Sequence, residues 1–312
     1  MRKPLDRILC ATDFSNVSRA VVPFSIDMAK KLNAKLYICH VIDLPAVSVY
    51  GEAVFDPVSH QQYFIDFARN EMENLVSGVD IDWEPLISIG HTTEEIEGLV
   101  VAHAIDMVVA STHGRSGLKR LFLGSVTERL MRTLPCPLLV LRGESSKGKD
   151  LPRQQFPFKN VLIGHDFSRD SEEAFRTSLS IAQEFESSLH IVHVVEPTAY
   201  KEFFKFPPSP EDPLPQDIHD SLKKGLMEMV PAEAFNWCDV QAQIRVGKPY
   251  AALIDYAREH AIDLIALGVR GYGNVENLLV GSTTDRVIRR APCPVLSVLP
   301  SHDDDHDADA DR

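Results

Sequence analysis

The chain contains one unit twice, and this internal repeat constrains its fold more than any other feature. The segment ILCATDF at residues 8–14 recurs as VLIGHDF at residues 161–167. Near the ends of the two copies, Pro-Cys-Pro at 135–137 recurs at 292–294. A chain of 312 residues that repeats in this way holds two units of about 150 residues, and each is long enough to bury its own core.

We expect two domains, at residues 1–145 and 156–300. Residues 143–157 between them are rich in glycine, serine and lysine, a composition typical of linkers. The last twelve residues, 301–312, hold six aspartates and no apolar residue larger than alanine. Such a segment has no apolar surface to bury, so we expect a disordered acidic tail.

Each copy alternates short apolar runs with amphipathic segments. In the first copy the runs at 8–12, 36–42, 105–110 and 138–141 are apolar on both faces. Ser15 is expected to cap the helix that follows the first run. Short apolar strands that alternate with helices indicate a parallel sheet covered on both sides, which is the doubly wound α/β class. Ligands of such sheets bind at the carboxyl ends of the strands.

The charge and composition exclude several classes of protein. A formal net charge of −13 argues against a partner that requires a basic face, such as nucleic acid or an anionic membrane surface. No apolar run approaches the roughly 18 residues of a membrane-spanning helix, so we expect no membrane insertion and a cytoplasmic location. The five cysteines show no C-x-x-C spacing and predict neither a disulfide framework nor a zinc site.

Three places at the strand ends carry residues suited to a nucleotide. An aspartate follows the first strand of each copy, where a carboxylate can accept hydrogen bonds from a ribose or an amine. A valine follows the second strand, and a glycine-bearing loop after the fourth strand leads into a helix whose first N–H groups favour anions. The candidate ligand-binding residues are Asp13, Val41, Ser111, Gly114, Gly124 and Ser125 in the first copy, and Asp166, Val194, Gly268, Gly271, Gly281 and Ser282 in the second. We expect no catalytic residue and no metal ligand.

The glycine pattern resembles that of the universal stress protein family, and the resemblance covers nearly the whole chain as a tandem pair. Its ATP-binding members carry Gly-x2-Gly-x9-Gly-Ser/Thr, which the second copy matches at Gly268, Gly271, Gly281 and Ser282. The first copy departs from the pattern at Ser111.

The resemblance implies a fold and a ligand. Each domain would be a five-stranded parallel sheet in the order 3-2-1-4-5, with helices on both faces. ATP, with or without magnesium, would place its adenine near Asp13 and Val41 or their counterparts and its phosphates on the glycine loop. The resemblance also implies dimer-like packing through the last strands.

Charge and shape favour different copies as the tighter site. Residues 115–123 of the first loop include three cations, whereas residues 272–280 of the second include only one charged residue, Glu276. Phosphates therefore favour the first copy electrostatically, while the complete glycine set favours the second sterically. We expect both sites to be occupied.

Histidines near these positions have two open interpretations. His165 precedes Asp166, where the first copy has Thr12; it either contacts bound ribose or phosphate or has a structural role. His40 and His193, at the ends of the second strands, are interpreted as hydrogen-bonded structural residues, with general bases as the alternative.

Three functions fit the sequence. The first is a stress-response regulator that binds ATP, hydrolyses it slowly if at all, and changes conformation or oligomeric state for an unidentified protein partner. The second is a genuine ATP-using enzyme, and the third is an interaction scaffold whose nucleotide sites are vestigial.

The apolar last strands generate a prediction about architecture. We expect residues 138–141 and 295–299 to pack against each other as an intramolecular pseudo-dimer, because an exposed apolar sheet edge must be covered; further homo-oligomers are compatible with this. Lys at both Val140 and Val298, or Asp at both, should loosen the two halves and speed proteolysis between residues 143 and 157. Unchanged proteolysis, or a structure in which the two last strands lie far apart, would contradict this arrangement.

Overall fold

The computed structural model describes residues 5–43, 61–112, 123–142, 156–196, 214–271 and 280–300. The chain divides into two compact units, and the boundary between them falls between Glu144 and Ser145. The acidic tail and most of the segment predicted as a linker lie outside the described residues.

The first unit is a five-stranded parallel sheet. Its strands are β1 (Arg7–Ala11), β2 (Lys35–Ile42), β3 (Trp83–Ile89), β4 (Met107–Ser111) and β5 (Leu138–Leu141). Its described helices are α1 (Asn16–Arg19), α2 (Val21–Leu32), α3 (Gln61–Val76), α4 (Thr92–Ala102) and α5 (Ser125–Thr133). All pairings are parallel, and the order is β3-β2-β1-β4-β5. The order predicted from the resemblance is confirmed.

The second unit repeats this arrangement. Its strands are β6 (Asn160–Gly164), β7 (Ser188–Val195), β8 (Val240–Val246), β9 (Leu264–Gly268) and β10 (Val295–Val298). Its described helices are α6 (Arg169–Phe185), α7 (Gln216–Glu228), α8 (Pro249–Glu259) and α9 (Ser282–Arg290), with a short 3-10 helix at Ala232–Asn236. The parallel order within the unit is β8-β7-β6-β9-β10, which is again 3-2-1-4-5.

Both faces of each sheet are buried. Successive residues of a strand point to opposite faces, yet Ile8, Leu9 and Cys10 of β1 are all fully buried. The same holds for residues 161–163 of β6. Helices therefore cover each sheet on both sides, as the apolar runs predict.

The first helix of the two copies differs because of one proline. Ser15 caps α1 as predicted, since its side chain accepts a hydrogen bond from the Ser18 N–H. The helix nevertheless breaks at Ala20, because Pro23 has no N–H for the carbonyl of Arg19 and its ring crowds that carbonyl. The second copy has Arg176 at the equivalent position, and there α6 runs without interruption for 17 residues.

Within the described residues, no helix is both long enough and apolar enough to cross a membrane.

Candidate functional site

A cleft of about 730 Å³ opens at the carboxyl end of the second unit's sheet. It lies where β6, β7 and β9 end and α9 begins. Its volume is within the range of about 300–1,000 Å³ that small-molecule sites occupy. The six candidate residues of the second copy all line it: Asp166, Val194, Gly268, Gly271, Gly281 and Ser282. The structure therefore brings these six residues together.

Five candidate residues of the first copy lie at the equivalent strand ends. Asp13 follows β1, Val41 lies near the end of β2 and Ser111 ends β4. Gly124 caps α5 and Ser125 is its first residue. These strand ends are neighbours, because β1 lies between β2 and β4. Gly114 lies outside the described residues.

Each candidate aspartate holds the turn that follows the first strand. Oδ1 of Asp166 accepts a hydrogen bond from the Ser168 N–H at 3.0 Å, and Oδ1 of Asp13 accepts one from the Ser15 N–H at 3.0 Å. The intervening phenylalanine has a φ of +62° in both copies, a left-handed conformation that a bulky residue rarely adopts. One carboxylate oxygen thus has a structural role that the sequence analysis missed.

The other oxygen of Asp166 lies toward the glycine loop. A methyl group built on Gly271 would come within 2.7 Å of Asp166 Oδ2. A side chain at position 271 would therefore displace the carboxylate, and both residues line the cleft.

The prediction that Val41 and Val194 follow the second strand of each copy is wrong. β2 continues to Ile42 and β7 to Val195, so Val41 and Val194 lie inside their strands. Val194 is half-buried and lines the cleft.

Gly268 is a glycine chiefly because of helix packing. A methyl group there would lie 2.6 Å from the carbonyl carbon of Asp170 and 2.8 Å from the Ser171 nitrogen. The sequence analysis interpreted this glycine as a ligand-binding residue, whereas its lack of a side chain makes room for the first turn of α6. The first copy has Ser111 at this position, and its leading helix is the four-residue α1, in which Val17 stands where α6 has Asp170.

Equivalent hydrogen bonds join the start of α9, and of its counterpart α5, to the end of the preceding strand. The Gly281 N–H donates to the Val269 carbonyl at 2.8 Å, and Thr284 Oγ1 donates to the Gly268 carbonyl at 2.8 Å. In the first copy, Gly124 and Thr127 make the equivalent bonds at 2.9 Å each. Among the residues that the structure describes, no side chain caps α9, and the N–H groups of its first turn, which have no acceptor within the helix, lie at the cleft.

Arg270 is a cleft residue that the sequence analysis missed. It lies between Gly268 and Gly271 and lines the cleft. Its Nε donates to Asp170 Oδ2 at 3.0 Å, and its backbone N–H donates to the same oxygen at 2.9 Å. The Asp170 side chain is 9% exposed and that of Arg270 38%. The sequence analysis counted charges only over residues 272–280 and so missed this cation, which lies between Gly268 and Gly271.

Two buried histidines lie beside Asp166 and line the cleft. Burial lowers the pKa of His165 to about 4 and also lowers the pKa of His193. Asp166 and Glu172 oppose this effect at His165 without overcoming it. Both rings are therefore neutral at physiological pH.

Comparison with known proteins is decisive at this point. The model of the universal stress protein family matches residues 4–142 and again 157–298. The chain belongs to the universal stress protein family. Because the match occurs twice, it is a tandem member with two such domains.

Two relatives of the same family align along nearly the whole chain, and a third aligns with about half of it. Universal stress protein Slr1230 of Synechocystis is 22% identical over 324 residues, which cover 94% of this chain and 99% of that protein. The crystal structure of a universal stress protein from Archaeoglobus fulgidus is 21% identical, covers 95% of this chain and 97% of its own, and superposes with a TM-score of 0.66. A shorter universal stress protein, solved in complex with cAMP, is 24% identical over 45% of this chain and 97% of its own, with a TM-score of 0.36.

The neutral state of His165 predicts a loss of stability in acid. An unfolded histidine titrates near pH 6.5 and the native His165 near pH 4, so the unfolded state binds more protons between these values. The free energy of unfolding should fall by about 3 kcal/mol from this residue as the pH drops from 6.5 to 4. Denaturant titrations across this range should show a smaller fall in the free energy of unfolding for His165→Thr than for the wild type. Part of the fall that remains in this variant comes from His193. His91→Gln, at an exposed histidine before α4, is the control and should follow the wild type; an equal fall in all three proteins would contradict the assignment.

Proposed function

We propose that this tandem universal stress protein binds adenine nucleotides, ATP foremost, and acts as a stress-response regulator whose conformation or assembly depends on the bound nucleotide. The observation that carries the proposal is the cleft of about 730 Å³, which combines a carboxylate, a strand end and an uncapped helix start. The cytoplasmic location expected from the composition is part of the same proposal.

The phosphate end of the ligand is assigned to the start of α9. The N–H groups of its first turn have no helical acceptor, and the helix dipole favours a negative group there. Ser282 and Thr283 line the same part of the cleft, and so does Arg270, whose guanidinium is paired with Asp170. Backbone donors, hydroxyls and a guanidinium are the groups that bind phosphates in proteins.

The nucleoside end is assigned to the ends of β6 and β7. Asp166 lines the cleft and can accept hydrogen bonds from a sugar hydroxyl or a base amine. Val194 and Leu253 add apolar surface beside it, which suits a planar base. With this division, the start of α9 would bind the phosphates of ATP and Asp166 would bind its sugar or base.

Several contacts favour binding and regulation over rapid catalysis. The Arg270 guanidinium is engaged by Asp170, whereas phosphoryl transfer requires a cation directed at the transferred group. Within the described ranges no group of three His, Cys, Asp or Glu side chains could hold a metal ion, so magnesium that accompanies ATP would be bound there by its phosphates. A nucleotide that binds one conformation more tightly than the other shifts the equilibrium toward it, by at most the difference between the two binding free energies.

One experiment separates the three functions suggested by the sequence. Nucleotide released from the denatured purified protein should include ATP, and calorimetry with ATP, ADP and cAMP should identify the preferred ligand. A scaffold with vestigial sites would bind none of them. An enzyme would turn over ATP at a rate of about 1 s⁻¹ or more, as enzymes commonly do, and that result would replace regulation with catalysis.

Gly281→Val should remove phosphate binding from the second site. A side chain on Gly281 starts 3.2 Å from the Val269 carbonyl oxygen, and the branched valine would cover the first-turn N–H groups of α9. We expect ATP affinity at this site to fall at least tenfold while the circular dichroism spectrum is retained. Gly98→Val is the control, because Gly98 is exposed in α4 and a side chain there meets nothing within 4 Å. Unchanged ATP stoichiometry and affinity in Gly281→Val would refute the assignment.

Asp166→Asn tests the carboxylate without breaking its turn. The asparagine carbonyl can still accept from the Ser168 N–H, which Asp166→Ala would leave unpaired. If the charged oxygen binds a ribose or amine, its loss removes about 1.5–3 kcal/mol, or roughly 10–150-fold in affinity. Asp13→Asn should act in the same way on the first site only. Wild-type binding by the double variant would show that both aspartates are purely structural.

A further inference from the structure

Two buried histidines follow one another across neighbouring strands at the cleft of the second domain. β6 and β7 pair in parallel with Gly164 opposite Val192, and the His165 N–H donates to the Val192 carbonyl at 2.9 Å. His165 and His193 are therefore neighbours across the two strands. His165 is 3% exposed and His193 4%.

Their hydrogen bonds assign the proton of each ring. The Phe167 N–H donates to Nδ1 of His165 at 3.1 Å, so this nitrogen is bare and Nε2 of the neutral ring holds the hydrogen. Nδ1 of His193 lies 2.8 Å from the His165 carbonyl oxygen, which can only accept. Nδ1 of His193 therefore holds its hydrogen, and its Nε2 is bare. The pair offers one donor and one acceptor.

Neither Nε2 atom finds a partner among the described residues, although both are buried. A buried polar atom without a partner is costly and rare in proteins. The ring of Phe167 packs against both imidazoles, with centroids 5.2 Å from His165 and 5.0 Å from His193. Phe167 is itself 40% exposed, so it can move aside without breaking into the core.

The first domain does not have this donor. Thr12 replaces His165, and its Oγ1 accepts from the Phe14 N–H at 3.1 Å, just as Nδ1 of His165 does for Phe167. Thr12 Oγ1 also pairs with Ser18 Oγ at 3.1 Å. Phe14 is 8% exposed, and the ring of Phe67 stands edge-on to it. The second domain alone combines an unpartnered histidine at this position with an exposed phenylalanine above it.

We propose that His165 and His193 together bind one hydroxyl group of the nucleotide's ribose, with Nε2–H of His165 donating to it and Nε2 of His193 accepting from it. This assignment rests on the proposed nucleotide binding and specifies how the second site recognises the sugar. The ligand takes the place of the Phe167 ring above the imidazoles. The first site, with Thr12, recognises the sugar without this donor.

Other ligand groups fit the pair less well. A phosphate oxygen can only accept hydrogen bonds, so it would satisfy His165 and set a negative charge against the bare nitrogen of His193. A metal ion needs a bare nitrogen from each ring, and Nε2 of His165 holds a hydrogen because its Nδ1 accepts from the backbone. A hydroxyl donates and accepts through one atom, as the pair requires.

The test compares ATP with 2′-deoxy-ATP and 3′-deoxy-ATP by calorimetry on the full chain. The second-site isotherm is the one that Gly281→Val removes. There the wild type should bind one of the two deoxy analogues at least tenfold more weakly than ATP. His165→Thr copies the first domain's residue and keeps the acceptor for the Phe167 N–H, so it should retain its fold, lose affinity for ATP and no longer distinguish the analogue.

Two further measurements keep the outcomes separate. His193→Asn keeps a donor for the His165 carbonyl, removes the Nε2 acceptor and should abolish the same discrimination. Long-range ¹⁵N–¹H spectra should show Nε2 protonated in His165 and bare in His193, with both signals moving when ATP binds. ATP binding with equal affinity for both analogues, or discrimination unchanged in both variants, overturns this assignment and leaves the proposed function intact. If the wild type binds no nucleotide, the proposed function and this assignment both fail.

Discussion

The position of the site residues depends on the turn that follows the first strand of each domain. In both copies an aspartate carboxylate accepts the N–H group two residues ahead and holds the intervening phenylalanine in a left-handed conformation. This turn ends β1 or β6 and starts the next helix. It also sets the direction of the residue before the aspartate, which is Thr12 in one copy and His165 in the other. Strain of this kind persists only where the surrounding structure enforces it, and such places are often functional sites.

The sequence predicted the sheet well because its signal was strong and present twice. Strands buried on both faces must be apolar throughout, so the runs at 8–12 and 138–141 stood out without any knowledge of their neighbours. The strand order did not follow from these runs and came from the family resemblance. The break between α1 and α2 was missed, although Pro23 lies in the third turn of the helix that Ser15 caps, where a proline removes a helical hydrogen bond.

The sequence predicted which residues lie at the site better than it predicted what each of them contacts. Glycine patterns identify where a backbone passes something closely, but they do not say what it passes. At Gly268 the neighbour is the first turn of α6, and at Gly271 it is the carboxylate of Asp166. The Arg270 and Asp170 pair joins residues 100 positions apart, and no local spacing reveals such a contact. The proton positions on His165 and His193 likewise depend on backbone partners that only the folded chain brings together.

The helices that follow the first strand of each domain also differ in length. α6 is one uninterrupted rod of 17 residues, about 25 Å long at 1.5 Å per residue, and its first turn packs against Gly268 at the cleft. In the first domain a break at Ala20 separates the four-residue α1 from α2. The uninterrupted helix that begins at the end of the first strand is therefore much longer in the second domain than in the first.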